Sequence, residues 1–207
     1  MQADRQQQVD RLVAAAIETA ETRSAAEIAV AIVPRADRYR LTAVLASVTL
    51  FALLEAALGW VRLPDLPAWA GPAAAIILAI ILFLACEHTF FGIALTPAAL
   101  RRQACLTRSR LLFLDHGIDA TQDRLGLLIC VCEAERQIEI LPDRGIAAVI
   151  PAERWAALIG QFRSHKSSAN LDTALARLID AVADELAPRF PPWPGQTNDL
   201  PDRPFRA

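Results

Sequence analysis

The chain has 207 residues, 54% of them hydrophobic and 21% charged, with a net charge of −2 and a mean hydropathy of +0.31. That apolar share exceeds the ~45–50% of a soluble globular domain, so part of the chain needs surroundings other than a water-facing core. The slightly acidic balance gives no basis for a nucleic-acid partner, which would require clustered Lys and Arg, and the four cysteines, Cys86, Cys105, Cys130 and Cys132, lack the spaced framework of a secreted disulfide scaffold and fit a reducing compartment.

The opening Asp4-Arg5-Gln6-Gln7-Gln8 is polar where the apolar core of a cleavable signal would lie, so targeting is expected from internal segments. Val9, Leu12, Val13, Ala16, Ile17 and Ala20 recur at the spacing of an amphipathic helix over 4–23. Ala26 to Val33 is a continuous apolar, β-branched run stopped by Pro34, the pattern of a strand buried on both faces.

Two long apolar segments follow. From Leu41 to Val61 Glu55 is the only charged residue, and ~1.5 Å of rise per residue makes this stretch long enough to cross a bilayer. Residues 72–95 behave alike, and the ten-residue connection 62–71, with Pro64, Pro67 and Trp69, suits a turn that places Trp60 and Trp69 at the interface. The pair is predicted to be a transmembrane helical hairpin over 41–95. Arg35, Arg38 and Arg40 precede it and Arg101, Arg102, Arg108 and Arg110 follow it, whereas the connection holds Arg62 beside Asp65, so both termini are expected in the cytoplasm. Glu55 and the pair Glu87-His88 lie inside the apolar runs, where an ionisable group costs ~2.5–3.5 kcal/mol. They are read as tolerated or snorkelling groups, with an ion-handling site or a subunit contact as the functional alternative.

After the hairpin, Thr96-Pro97 is a cap-and-first-turn signal for a helix to about Leu114, ended by Gly117. Leu125 to Cys132 and Gln137 to Leu141, joined by the polar Glu133-Ala-Glu-Arg136, predict a β-hairpin that Asp143-Arg144-Gly145 terminates. Helices are predicted from Pro151 to Arg163 and from Asn170 to Leu186, with a polar linker between them, and the tail 188–207, with six prolines, is expected to be disordered. The order of elements gives an α/β domain with a small mixed sheet covered by helices, built from 1–40 and 96–187 and interrupted by the membrane hairpin (about 41–61 and 72–95).

Three segments carry a family resemblance: Ala26-Glu-Ile-Ala-Val-Ala-Ile-Val-Pro34, Asp123-Arg-Leu-Gly-Leu-Leu-Ile-Cys-Val131 and Arg136-Gln-Ile-Glu-Ile-Leu-Pro-Asp-Arg-Gly-Ile146. Over most of residues 10–186 the chain resembles the TPM domain family, in particular its membrane-bound bacterial branch with a hairpin after the first strand. The resemblance implies a three-layer α/β sandwich. Plant members are associated with photosystem II repair, animal members with receptor modulation, and a weak phosphatase activity has been attributed to the family, so resemblance bears on fold more than on function. The branch usually has Arg-Thr-Gly before the second strand; here it is Arg124-Leu125-Gly126, which removes a hydroxyl from that turn.

Asp115, Asp119, Asp123 and Asp143 are candidate ligands for a hard cation such as Ca2+ or Mg2+, because the loops at the ends of the second and third strands could gather them. Gly117 interrupts the four-residue spacing of the first three, and the order is not that of a calcium loop; the alternative is a solvated set with Asp143 turning the chain. Cys130 and Cys132 share one face of a strand, a redox or thiolate pair by spacing and packing residues by their apolar surroundings. His88, His116 and His165 have no mutual ligand spacing, and no phosphate loop, serine elbow or activated nucleophile pair occurs. These residues favour a non-catalytic module at the inner membrane that binds another membrane protein or a second copy, with no resident cofactor, in assembly or maintenance of a membrane complex. The rival is a weak acid-phosphatase-like hydrolase using the four aspartates and a divalent metal.

Overall fold

The computed structural model describes residues 2–60, 67, 69–88, 91–121, 123–165, 171–194, 198, 200–201 and 203–206. It divides into two compact units, one of residues 1–34 and 105–207 and one of residues 35–104.

The first unit is a mixed α/β structure. Its four-stranded sheet, among the described residues, has the order β3-β2-β1-β4, with β1 at Glu27–Val33, β2 at Gly126–Cys132, β3 at Gln137–Pro142 and β4 at Phe205–Arg206. β1 and β2 pair parallel over their whole length, from Glu27 opposite Gly126 to Val33 opposite Cys132, and β3 returns antiparallel to β2. The predicted hairpin is therefore present. Arg136 makes its turn with φ of 54° and donates its N–H to the Glu133 carbonyl at 3.2 Å. Every residue of β1 and β2 is buried, which explains their unbroken apolar runs: both faces are covered.

One face carries the main core. Ile28, Val30, Ile32, Leu127, Ile129 and Val131 pack with Val13 and Ile17 of α1 (Gln2–Glu21), Trp155 and Phe162 of α7 (Ala152–His165), and Leu175, Ile179 and Leu186 of α8 (Leu171–Leu186). Each fully buried large aliphatic side chain contributes ~1.5–3 kcal/mol. The other face is built for closer approach. Ala29 and Ala31 alternate there beside Leu128, Cys130 and Cys132, opposite the inner stripe of α5 (Ala98–Asp115), whose buried residues are Cys105, Ser109 and Leu112.

Within the tail, the described residues Phe205–Arg206 form β4, parallel to β1 with Ala31 opposite Phe205. Phe205 stacks on His116 with ring centroids 3.9 Å apart, Arg206 bonds Asp10 at 2.8 Å, and the Leu200 N–H donates to Glu27 at 2.9 Å. The Ala25 N–H likewise donates to the Phe190 carbonyl. Prolines stop helices without preventing extended chain, and an extended tail is what the open edge of β1 needs.

The second unit consists of α2 (Arg40–Trp60), α3 (Ala70–His88) and α4 (Phe91–Leu95), with the start of α5. α2 and α3 pack along one another. The predicted second segment, 72–95, is not one helix: α3 ends at His88, and the chain resumes as α4. A Cβ at Gly92 would stand 2.4 Å from the Cys86 carbonyl oxygen, so only glycine permits α4 this close to α3. Thr96 does not cap α5 as predicted. Its hydroxyl donates back to the Gly92 carbonyl at 2.6 Å and lies 3.1 Å from the Thr42 hydroxyl, so it closes α4 onto α2. Most of the connection 61–69, and the side chains of Trp60, Glu87, His88 and His165, lie outside the described residues.

Glu185 of α8 is a buried carboxylate held by two arginines. Arg154 of α7 donates Nε at 3.2 Å and Nη2 at 2.7 Å, and Arg189 approaches to 2.8 Å. The Arg154 hydrogen bond, opposed by burial and aided by Arg189, lowers its pKa below the usual carboxylate value. A folded-state pKa lowered in this way gives stability that is complete above the unfolded value of about 4.3 and is lost as pH falls through the folded value. Glu185→Gln is therefore expected to melt lower than the parent near neutral pH, with the difference shrinking below pH ~4. Thermal melts across pH 3–7 check this; a constant difference would refute the linkage.

Candidate functional site

Three arrangements hold the chemistry the sequence pointed to. The first is the apolar helix pair. Among the described residues one helix, α2, is long and apolar enough to cross a membrane, and only 11% of its most apolar 18-residue window is buried. The apolar stretch of α3, 70–86, is shorter than that criterion. Both helices present large aliphatic side chains outward, among them Leu45 at 59% exposure, Val48 at 60%, Leu53 at 63% and Ile77 at 59%. The small residues Ala43, Ser47 and Ala75 are buried in the unit. Charge follows the same division: Arg35, Arg38 and Arg40 stand at the start of α2, and Arg35 lies 5.7 Å from the Tyr39 ring centroid.

The second is the turn region that carries the four aspartates. Asp115 is exposed at the end of α5; Gly117, with φ of 63°, ends that helix and starts a 3-10 turn, Ile118–Ala120, that contains Asp119; Asp123 is exposed in the turn before β2. Asp143 is buried. Its carboxylate accepts the Arg144 N–H at 2.7 Å and caps α6 (Arg144–Ala147). Arg124, in the left-handed region with φ of 56°, bonds the Asp119 carbonyl rather than a carboxylate, and its own carbonyl accepts the Gly145 N–H at 3.1 Å. Asp143 Oδ2 and Thr121 Oγ1 are buried without hydrogen-bond partners among the described residues. Among the described residues no group of three or more His, Cys, Asp or Glu side chains is arranged to hold a metal ion. The expected four-aspartate set is not assembled, because the αL residue Gly117 breaks the shared helical face and Asp143 turns inward to its cap.

The third arrangement was only half visible beforehand. Cys130 and Cys132 do share a face of β2, and Cys105 of α5 joins them, within hydrogen-bonding reach of both. All three are fully buried free thiols. Ser109, one turn on from Cys105, donates to the Cys105 carbonyl at 2.7 Å and also faces Cys130. The signal for Cys105 lay in the uncharged stripe Cys105, Ser109, Leu112 at i, i+4, i+7 on an otherwise Arg-rich helix. Hydrogen bonds from Cys105 and then Cys132 push the Cys130 thiol down to about 4, against burial and with help from Ser109 and the Arg108 charge. The converse holds for the donors: Cys105 is pushed up to about 12, chiefly by its bond to Cys130, and Cys132 moves upward, chiefly through Cys105 and then Cys130. The three thiols therefore titrate as one coupled group rather than independently, with Cys130 shifted downward and Cys105 and Cys132 upward.

With these geometries established, comparison with known proteins adds a fold neighbour. No family model and no curated protein matches the chain. The NMR structure of BA42 protein from the psychrophilic bacterium Bizionia argentinensis is similar at a TM-score of 0.58 and 15% sequence identity, covering 97% of this chain and 93% of that one. At that identity the likeness concerns the fold alone.

Two outcomes follow from the site geometry. Asp143→Ala removes the α6 cap and is expected to cost about 1 kcal/mol, read from chemical denaturation, whereas Asp143→Asn, which keeps an accepting oxygen, should cost less. Equal losses in the two variants would show that the cap is not what Asp143 supplies. For the thiols, the folded chain is expected to show thiolate absorbance near 240 nm at pH 7 that declines as pH falls toward about 4 and is absent in Cys130→Ser. No such absorbance in the parent at pH 7 would refute an acidic Cys130.

Proposed function

We propose that this chain is a multi-pass inner-membrane protein in which α2 and α3 form a transmembrane hairpin and the α/β unit, a three-layer sandwich of the TPM type, stands in the cytoplasm as a non-catalytic interaction module. In this reading it serves the assembly or maintenance of a membrane complex. The observation that carries the proposal is the outward apolar surface of α2, of which only 11% of the best window is buried. Water would oppose such a surface, whereas Leu, Ile, Phe and Val each favour the bilayer centre by ~0.3–0.6 kcal/mol. α3 is shorter but equally apolar outward, with Ile76, Ile77, Ile80, Ile81 and Leu84 all about half exposed, and a short apolar span is accommodated by local thinning of the bilayer.

The three-layer reading is supported by helices on both sides of the sheet, α1, α7 and α8 on one face and α5 on the other. The cytoplasmic placement rests on the arginines that flank α2 and α3 at their outer ends in sequence, against a single Arg62 beside Asp65 between them. A binding role is favoured over hydrolysis by the chemistry present. Asp143 is committed to a helix cap, the thiols are packed in the core, and Asp115 and Asp123 are exposed to solvent.

The chain is expected to stay in the membrane pellet after alkaline carbonate extraction, and a reporter fused after Ala207 is expected to be active in the cytoplasm. Release by carbonate would refute the hairpin, and periplasmic reporter activity would refute the arginine-based orientation. Metal-stimulated release of phosphate from a model ester, lost in Asp123→Ala and Asp143→Ala, would replace the binding module with a hydrolase.

A further inference from the structure

Helix α5 carries two stripes. The inner one, Cys105, Ser109 and Leu112, is buried against the sheet. The outer one runs along Leu100, Thr107, Leu111 and Leu114, at i, i+7, i+11 and i+14, which at ~100° per residue forms a single line on roughly the opposite side of the helix. Its three leucines are each about half exposed or more, and Thr107 is exposed as well. A helix that shields one face of a sheet needs one apolar stripe, so the packing of α5 on the sheet leaves the second unexplained.

Charge borders that outer stripe. Arg108 and Arg110 fall within about 90° of it, one on each side. With Arg101 and Arg102 they give the helix a single sign of charge, since residues 98–114 contain no Asp or Glu. All four are arginines, whose planar fork binds phosphate oxygens through paired hydrogen bonds. Leucines exposed in a line and bordered by arginines suit the plane of a membrane surface, where the apolar side chains enter the boundary of the acyl chains and the guanidiniums reach the headgroup phosphates.

Resting on the membrane reading above, we propose that the outer face of α5 docks on the anionic phospholipid surface of the cytoplasmic leaflet. Charge complementarity and position in the chain select this occupant. The cytoplasmic leaflet has a negative surface potential that attracts basic segments close to a span. α3 ends at His88 and α5 begins at Ala98, so the helix starts within a short connection of the second membrane segment. Asp115 at the end of α5, with Asp119 and Asp123 in the turn beyond, sets the limit of the contact, because the same headgroups repel carboxylates. The contact is therefore centred on Thr107 and Leu111.

The test uses the full chain reconstituted in bilayers of phosphatidylcholine alone, or of phosphatidylcholine and phosphatidylglycerol in equal parts. Thr107→Cys carries an environment-sensitive fluorophore, and lipid spin-labelled at the headgroup is the quencher. The four native cysteines are buried, and the chain without the introduced cysteine gives the background. Glu153→Cys, at an exposed position of α7, is the control. Quenching at position 107 is expected in the anionic bilayer, with little in the neutral one and none at position 153. Arg108→Gln and Arg110→Gln should each shift the docked–free equilibrium of the helix about fivefold toward free. Equal quenching in the two bilayers, none in either, equal quenching at 107 and 153, or quenching that neither arginine substitution reduces would overturn the proposal. Carbonate extraction of the same vesicles separates the two failures: a chain retained but unquenched refutes the α5 contact alone, and a released chain refutes the membrane reading on which the contact rests.

Discussion

The parallel pairing of β1 with β2 is the constraint on which the remaining architecture depends. Two parallel neighbours cannot be joined by a tight turn; the chain must leave the end of one strand and return to the start of the other, a crossover of a dozen residues or more. Here the connection from Val33 to Gly126 holds α2 to α5. Because the crossover is obligatory, a pair of packed helices can occupy it without adding a new break in the sheet. Closing a longer loop costs only ~0.6 kcal/mol per doubling of its length. The penalty falls on kinetics, since the central strand pair is a non-local contact that forms late.

The same pairing explains the sequence of the strands. β1 and β2 sit inside the sheet and are covered on both faces, so their residues read as unbroken apolar runs that mark them plainly. The division of labour between faces is also written there. Branched side chains at Ile28, Val30 and Ile32 fill the deep core, and the intervening Ala29 and Ala31 leave room on the opposite face. Helices α7 and α8 were equally legible, because their apolar stripes meet a core that α1 completes and their polar faces meet water.

What sequence reasoning missed was non-local. Nothing near Phe205 announces a strand; two residues with prolines on either side become one only because β1 leaves an edge beside them and His116 offers a ring to stack on. Cys105 could not be joined to Cys130 and Cys132 from spacing, since the three meet through the packing of a helix on a strand. The second apolar segment was read through to Leu95 because hydropathy does not sense Gly92, where the requirement is for missing volume beside the Cys86 carbonyl. The aspartates were legible in part: Gly117 was already read as interrupting the spacing by four, and its left-handed conformation, with Asp143 capping α6, matches that alternative.

Buried polar groups are satisfied in different ways in the two units. On the sheet, the thiols of Cys105, Cys130 and Cys132 supply one another with donors and acceptors, so the α5–β2 packing closes upon itself and needs no outside group. On α2, the serine and threonine hydroxyls are also satisfied within the helix, Ser47 to the Ala43 carbonyl at 2.8 Å and Thr49 to the Leu45 carbonyl at 2.7 Å. On the same helix the Glu55 Oε1 atom is buried with no hydrogen-bond partner among the described residues, so the local backbone solution open to a short hydroxyl side chain is not used there.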